Sequence, residues 1–217
     1  MYVLVNAAVS VDGKLSTVSR EQVAISGPDD FRRVDELRSD VDAVMVGIGT
    51  VLADDPSLTV DRPVAEQPAR IVVDSRARTP PTARILNDMA RTFVVTTREA
   101  ARERVEALAS APSTTVLTAG AGRVALDGAL EQLDEAGIDR LLVEGGGELI
   151  FSLFAEDLVD ELSVYVGDLL VGGADAPTLA DGSGFPSAGD APRLDLESVT
   201  RIDDGVLLRW RVPGAAP

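Results

Sequence analysis

Leu141 to Phe154 reads LLVEGGGELIFSLF, and this order of residue types decides the fold class. Leu141, Leu142 and Val143 make a short apolar run of the kind that forms a strand buried on both faces. Three glycines follow, and then an apolar stretch with the character of a helix. Short apolar strands are predicted in the same way at 42–47 (DAVMVG), 70–74 (RIVVD), 92–96 (TFVVT), 114–118 (TTVLT) and 140–144 (RLLVE). Helical stretches lie between several of them, notably 99–109 and 127–136. Such alternation implies an α/β domain around a mostly parallel sheet.

Residues 2–11 extend the pattern as a first strand, closed by the turn Asp12-Gly13. Residues 28–40 (PDDFRRVDELRSD) predict a helix. Pro28 fits its first turn, Asp29 and Asp30 suit its positive end, and Phe31, Val34 and Leu37 share a face. The C-terminal part differs. Residues 160–167 read as a strand, and 194–202 and 206–212 flank the hairpin signal Asp203-Asp204-Gly205. Alternation there predicts a buried face of Val206, Leu208, Trp210 and Val212 on an antiparallel hairpin closing one sheet edge. Residues 172–192, rich in Gly, Pro and Asp, form a long loop, and with no repeat or linker in view the expectation is one domain over 1–217.

Composition narrows the function. The chain has no Cys and no His, which removes disulfides, thiolate and imidazole chemistry and the usual zinc ligands; no metal is expected. The formal net charge is −16, so a nucleic-acid backbone would be repelled. No apolar run approaches the roughly 20 residues of a membrane-crossing helix. The start, Met1-Tyr2-Val3-Leu4-Val5, has no basic n-region and reads as fold. A cytoplasmic location is the expectation. Lys14 is the only lysine among 20 Lys and Arg residues. Excess carboxylate with so little lysine points to a salt-adapted source.

Three segments could carry chemistry. In VGIGTVLADDP (Val46–Pro56) a strand ends at Gly47 and a helix starts near Gly49-Thr50, a junction that serves either as a tight turn or as a phosphate site. In the Leu141–Phe154 segment the glycines stand where a dinucleotide cradle would, without the G-x-G-x-x-G spacing. Glu144 is placed at a strand's carboxyl end, where α/β sheets bind ligands, or is a solvent-facing terminus. Asp74-Ser75-Arg76 with Arg78 offers a hydroxyl and a guanidinium suited to a 2′-phosphate, or is an exposed basic loop. Arg38 reads as a helix-end cation or a ligand contact, and Asp12 as a turn aspartate or an acid.

Taken in order, Ser10-Val-Asp-Gly-Lys14, Leu37-Arg38, Asp42–Gly47, Gly49–Pro56, Leu58–Val60, Ile71–Arg76, Val143–Gly147 and Leu158–Leu162 resemble the reductase family of riboflavin biosynthesis, over residues 3 to about 175 and more loosely beyond. The resemblance implies a dihydrofolate-reductase-like three-layer fold, usually homodimeric. It also implies hydride transfer from NADPH to the ribosyl C1′ of a pyrimidine riboside phosphate, a small-molecule substrate. Carried over by position, it implies cofactor contacts at Ala8, Thr50, Asp54, Ser75 and Arg76. Gly145, Gly146 and Gly147, with Glu148, match the diphosphate cradle. Gln22, Arg38, Leu58, Arg62 and Glu144 match substrate contacts. No proton donor is assigned; Asp12 and Glu144 are the candidates beside water.

Two departures stand out. The family pattern L-T-V-R becomes Leu58-Thr59-Val60-Asp61-Arg62, so Arg62 reaches the substrate after a one-residue shift or the contact is lost. Ala24 replaces an aromatic residue common in bacterial relatives. Without Cys or His the chain cannot form the zinc deaminase site that accompanies those relatives. It therefore resembles the free-standing archaeal or fungal type, and the diamino-pyrimidinone is the expected substrate, ahead of the deaminated uracil form. Dihydrofolate reductase and a non-catalytic NADP-binding sensor are the competing readings. The strand near 158–166, apolar on both faces, needs a helix layer or a partner over it, a second motive for a homodimer.

The charge generates a prediction. At molar salt the Debye length falls to about 3 Å and self-repulsion is screened. Thermal unfolding should therefore move upward from dilute buffer to molar KCl, and a flat or falling melting temperature would remove salt adaptation as the reason for the acidity.

Overall fold

The computed structural model describes residues 1–21 and 23–214; Gln22 lies outside the described residues. Contacts group the chain into two compact units, one of Met1 and Asp35–Leu142, the other of Tyr2–Val34 and Val143–Pro217.

The first unit is built on parallel strands. β2 (Ala43–Gly47), β3 (Ala69–Val73), β4 (Thr92–Thr96) and β5 (Thr114–Thr118) pair in the order β5-β4-β3-β2, with β6 (Arg140–Val143) next to β2. The central strands are buried end to end, as parallel strands covered on both faces must be. Val44, Met45, Val46, Ile71, Val72, Val94 and Val95 have no exposed surface. The helices α2 (Ile48–Asp54), α3 (Arg102–Ala109) and α4 (Leu126–Glu135) follow β2, β4 and β5, and α4 contributes buried Ala129 and Leu133. Arg70 is the exception in this core. Its buried guanidinium donates to Asn87 Oδ1 (2.7 Å), Asn87 O and Ala90 O (2.6 Å each), tying the segment after the 3-10 turn Arg84–Leu86 to β3. Burial lowers the pKa of this guanidinium, and nearby Asp88 opposes the shift.

The second unit holds β1 (Tyr2–Val9), α5 (Gly147–Ala155), β7 (Glu161–Val166), β8 (Asp195–Ile202), β9 (Gly205–Arg211) and the first turns of α1 (Pro28–Ser39). β1 pairs parallel with β7; β7 with β9 and β9 with β8 are antiparallel. The fold class is thus α/β, mostly parallel with an antiparallel C-terminal hairpin, as the sequence led us to expect.

Two details differ from the sequence reading. Phe31, read as sharing a face of α1 with Val34 and Leu37, is 59% exposed, whereas Asp30 is buried. The helix docks through a polar network: Arg33 Nε donates to Asp30 Oδ1 (2.8 Å), Nη2 to Asn6 Oδ1 (2.9 Å) and Nη1 to Ser163 Oγ (3.4 Å). A buried charge held this way has its hydrogen-bonding capacity met, which lets an ion pair take the place of an apolar stripe. On β9 the fully buried side chain is Leu207, 6% exposed, packed with Ile25 and Tyr165; Val206, Leu208 and Trp210 are half-buried. Leu207 lies on the other face, opposite Tyr165 across the β7–β9 ladder, and beyond it Arg209 and Arg211 on that face are exposed. β7 itself is buried along nearly its whole length within the chain, so its apolar character alone calls for no partner.

The hairpin turn also caps a helix. Asp203 accepts from the amides of Asp29 (3.2 Å) and Asp30 (3.0 Å), two of the orphan donors at the start of α1. Replacing such a cap by Ala typically costs about 0.5–2 kcal/mol. Gly27 is needed there, since a Cβ would lie 2.5 Å from Asp203 Cγ. Among the described residues no helix is long and apolar enough to cross a membrane.

Candidate active site

In the first unit, Arg38 and the 58–60 segment come together. Arg38 Nη1 donates to Thr59 O (3.1 Å), and Leu58 is buried at a positive φ of 52°. The segment is fixed by Gln67, which accepts from Val60 N (2.7 Å) and donates to Val60 O (3.0 Å). Nothing in the sequence marks Gln67, because a side-chain amide clamping loop backbone leaves no periodicity. Arg62 is directed to α1, donating to Ser39 Oγ with its Nε 3.8 Å from Asp35 Oδ2. Asp61 N donates to the same Asp35 carboxylate at 2.7 Å.

Thr50 lies in the first turns of α2 and Asp54 at its end, where Asp55 closes the helix in a left-handed conformation. The Asp54 side chain is exposed, yet the neighbouring protein pushes its carboxyl above the ordinary range by desolvation. After β3, Asp74 is wholly buried. Its Oδ2 accepts from Thr79 N (2.7 Å) and Thr79 Oγ1 (2.8 Å), shaping the 75–79 turn in which Ala77 has φ 50°. Ser75 is half-buried and Arg76 exposed.

In the second unit, Asp12 accepts from Ser10 Oγ (2.6 Å), Val171 N (3.0 Å) and Gly172 N (2.7 Å). These bonds, that from Ser10 foremost, hold its carboxyl at about 2, below the ordinary 3.8. Lys14 Nζ donates to Ala176 O (3.3 Å), and Leu15 N to Pro177 O (2.8 Å). The turn after β1 is therefore zipped to 169–178, a contact the sequence does not announce. Ala8 packs against the Ile25–Tyr165–Leu207 cluster, and Ala24 is exposed.

Glu144 follows β6 and is half-buried. The three glycines after it have separate duties. Gly145 has φ 139°, a conformation side chains rarely adopt. Gly146 is the N-cap of α5 with no side-chain cap, and Glu148 is an exposed acid in the first turn. At Gly147 a Cβ would meet Thr178 O at 2.4 Å and Asp181 Oδ2 at 2.7 Å, so the protein's own 178–181 loop requires glycine there.

Bacterial RibD of Acinetobacter baumannii has the same fold, with a TM-score of 0.80 at 28% identity over 97% of this chain; the chain spans 57% of that longer protein. The class is thus a RibD-like α/β domain. The chain belongs to the family described as the RibD C-terminal domain, matched over residues 1–208, which confirms the resemblance drawn from the motifs. Two archaeal relatives are named 2,5-diamino-6-ribosylamino-4(3H)-pyrimidinone 5′-phosphate reductase. The protein of Archaeoglobus fulgidus is 47% identical over 97% of both chains. That of Methanothermobacter thermautotrophicus is 46% identical over 98% of this chain and 99% of its own.

The Asp12 geometry makes a testable statement. A depressed carboxylate contributes stability that is complete above its unfolded value of 3.8 and is lost as pH falls through about 2. Carbon NMR titration should place the Asp12 midpoint near 2, and Ser10→Ala should move it upward. An ordinary midpoint unaffected by Ser10→Ala would show that the bond from Ser10 does not hold the carboxylate.

Proposed function

We propose that this chain is an NADPH-dependent reductase that converts 2,5-diamino-6-(5-phosphoribosylamino)pyrimidin-4(3H)-one into its ribitylamino product in riboflavin biosynthesis, in the cytoplasm of a salt-adapted archaeon. The observation that carries the reading is near-full-length identity of 46–47% to archaeal relatives bearing the reductase name.

The described residues fit a nicotinamide dinucleotide in two respects. Gly145 and the start of α5 offer backbone without side chains, suited to a diphosphate. Ser75 and Arg76 pair a hydroxyl with an unengaged guanidinium, suited to a phosphate monoester. The cofactor, when bound, supplies the hydride. The protein's share is placement and exclusion of water. Thr50, Asp54, Ala8 and Glu148 are assigned to the cofactor, and Leu58, Glu144 and Gln22 to the substrate. We assign the substrate phosphate to Arg38, because Arg62 is held by Asp35 and Ser39. Asp12 is given a positioning role, since a carboxyl held near 2 carries no proton to donate at neutral pH.

A homodimer accompanies this reading. Leu196 and Val199 on β8 are 56% and 59% exposed beside half-buried Leu208 and Trp210, an apolar sheet face that a second copy would cover. Light scattering at working salt should give twice the chain mass; the mass of one chain with full activity would refute the dimer.

The enzyme assay is loss of NADPH absorbance on adding the diamino-pyrimidinone. Turnover is expected with this substrate and not with dihydrofolate; no turnover under conditions where NADPH binds would leave a binding module. Arg38→Ala should lower kcat/KM by roughly 10–150-fold with NADPH affinity nearly intact, the loss of a charge-assisted contact. If only the melting temperature falls, Arg38 is structural.

A further inference from the structure

Residues 169–185 run between two parts of the second unit that are far apart in sequence, the turn after β1 and the start of α5. At one end the backbone is stitched to the turn. Val11 N donates to Leu169 O (2.8 Å), Leu15 N to Pro177 O (2.8 Å) and Leu179 N to Gly13 O (3.3 Å), and Lys14 and Thr178 form an antiparallel bridge. At the other end the segment lies on α5. Asp181 N donates to Gly147 O (3.1 Å). Gly182 has φ 99°, and a Cβ on it would lie 2.8 Å from Phe151 Cδ1. The Phe185 ring meets that of Phe151 edge to face at 5.2 Å.

Thr178 and Asp181 stand where the two ends meet. Asp181 Oδ1 accepts from Thr178 Oγ1 (2.6 Å) and from Thr178 N (3.0 Å). One carboxylate oxygen thus closes the four residues 178–181 into a bracket, and bonds to a charged acceptor are the strong ones. One side of the bracket is bridged to Lys14; the other faces Gly147, where a Cβ would meet Thr178 O at 2.4 Å and Asp181 Oδ2 at 2.7 Å. The start of α5 and the 13–15 turn do not need each other for their own local structure, yet each is bonded to this bracket. Both Thr178 and Asp181 lie outside every strand and helix, so neither is required to build the sheet.

We propose that the Thr178–Asp181 bracket couples the turn after β1 to the start of α5, so that a dinucleotide held at the glycine segment also fixes the 10–15 turn, with Thr178 and Asp181 as positioning residues. The use of the coupling rests on the dinucleotide reading above; the coupling itself does not. The test is amide hydrogen exchange, which reports local opening residue by residue, in wild type, Thr178→Val, Thr178→Ser and Gly147→Ala, with and without NADPH. Without ligand, Thr178→Val should speed exchange at Leu15 in the turn and at Leu149 in the first turn of α5 together. The expected factor is roughly 10-fold, the loss of a bond to a charged acceptor. Val164 on β7 should keep its rate. Gly147→Ala, which presses on Thr178 O from the α5 side, should reach Leu15 in the same way. Thr178→Ser, which keeps the hydroxyl, should not, nor should Ser187→Ala, which removes only the bonds to Asp190 and Gly189 further along the loop. NADPH should slow Leu15 in wild type and not in Thr178→Val, whose NADPH affinity should fall roughly 3–10-fold. Faster exchange at one end only, at Val164 as well, or equally in Thr178→Ser would overturn the coupling. NADPH that fails to bind, or binds without slowing Leu15, would overturn its role in binding. A chain that shows the coupling and binds NADPH yet reduces no pyrimidine keeps the bracket and loses the reductase reading. Turnover with Leu15 indifferent to Thr178→Val does the reverse.

Discussion

A parallel strand covered on both faces can hold almost nothing but apolar side chains, and this constraint organises the chain. β2, β3 and β4 are filled with Val, Ile, Met and Phe, leaving no room along them for ligand-binding groups. The polar chemistry is displaced to where the strands stop: Ser10 and Asp12 after β1, Thr50 after β2, Asp74 and Ser75 after β3, Thr97 and Arg98 after β4, Glu144 and Gly145 after β6. Arg70 shows what an exception demands. A buried guanidinium is tolerated because three oxygens of the 87–90 segment receive it, and in return that segment is held in one conformation.

The same constraint explains what could be read from the sequence. Continuous apolar runs bounded by turn residues are an unambiguous mark, so β2 to β6 were legible to within a residue or two. The glycine segment and the Asp74-Ser75-Arg76 run were legible because they directly follow such strands. What escaped reading was the set of contacts made by polar groups distant in sequence. The docking of α1 runs through Arg33 to Asn6 and Ser163, which the shared face of Phe31, Val34 and Leu37 does not reveal. Its cap, Asp203, stands 174 residues from Asp29. The Gln67 clamp on Val60 and the zip between Asp12 and Val171–Gly172 are of the same kind.

Glycine illustrates how one residue type serves different ends in a single motif. Gly145 answers to its own backbone angle, Gly146 is the N-cap of α5, and Gly147 answers to the crowding of Thr178 and Asp181. A motif that looks uniform in sequence is therefore a conformational requirement, a helix start and a packing requirement in succession. Substitutions along it would therefore fail for different reasons.

Trp210 is the single tryptophan of the chain, and it lies half-buried on β9 in the second unit. Intrinsic fluorescence excited at the indole band is therefore a view of the antiparallel hairpin alone. If the two compact units melt at different denaturant concentrations, emission will follow one of them and be silent on the other, whereas circular dichroism will follow both. A sharp fluorescence transition in this protein is a statement about its hairpin, and coincidence of the two probes is the criterion for treating the chain as one cooperative body.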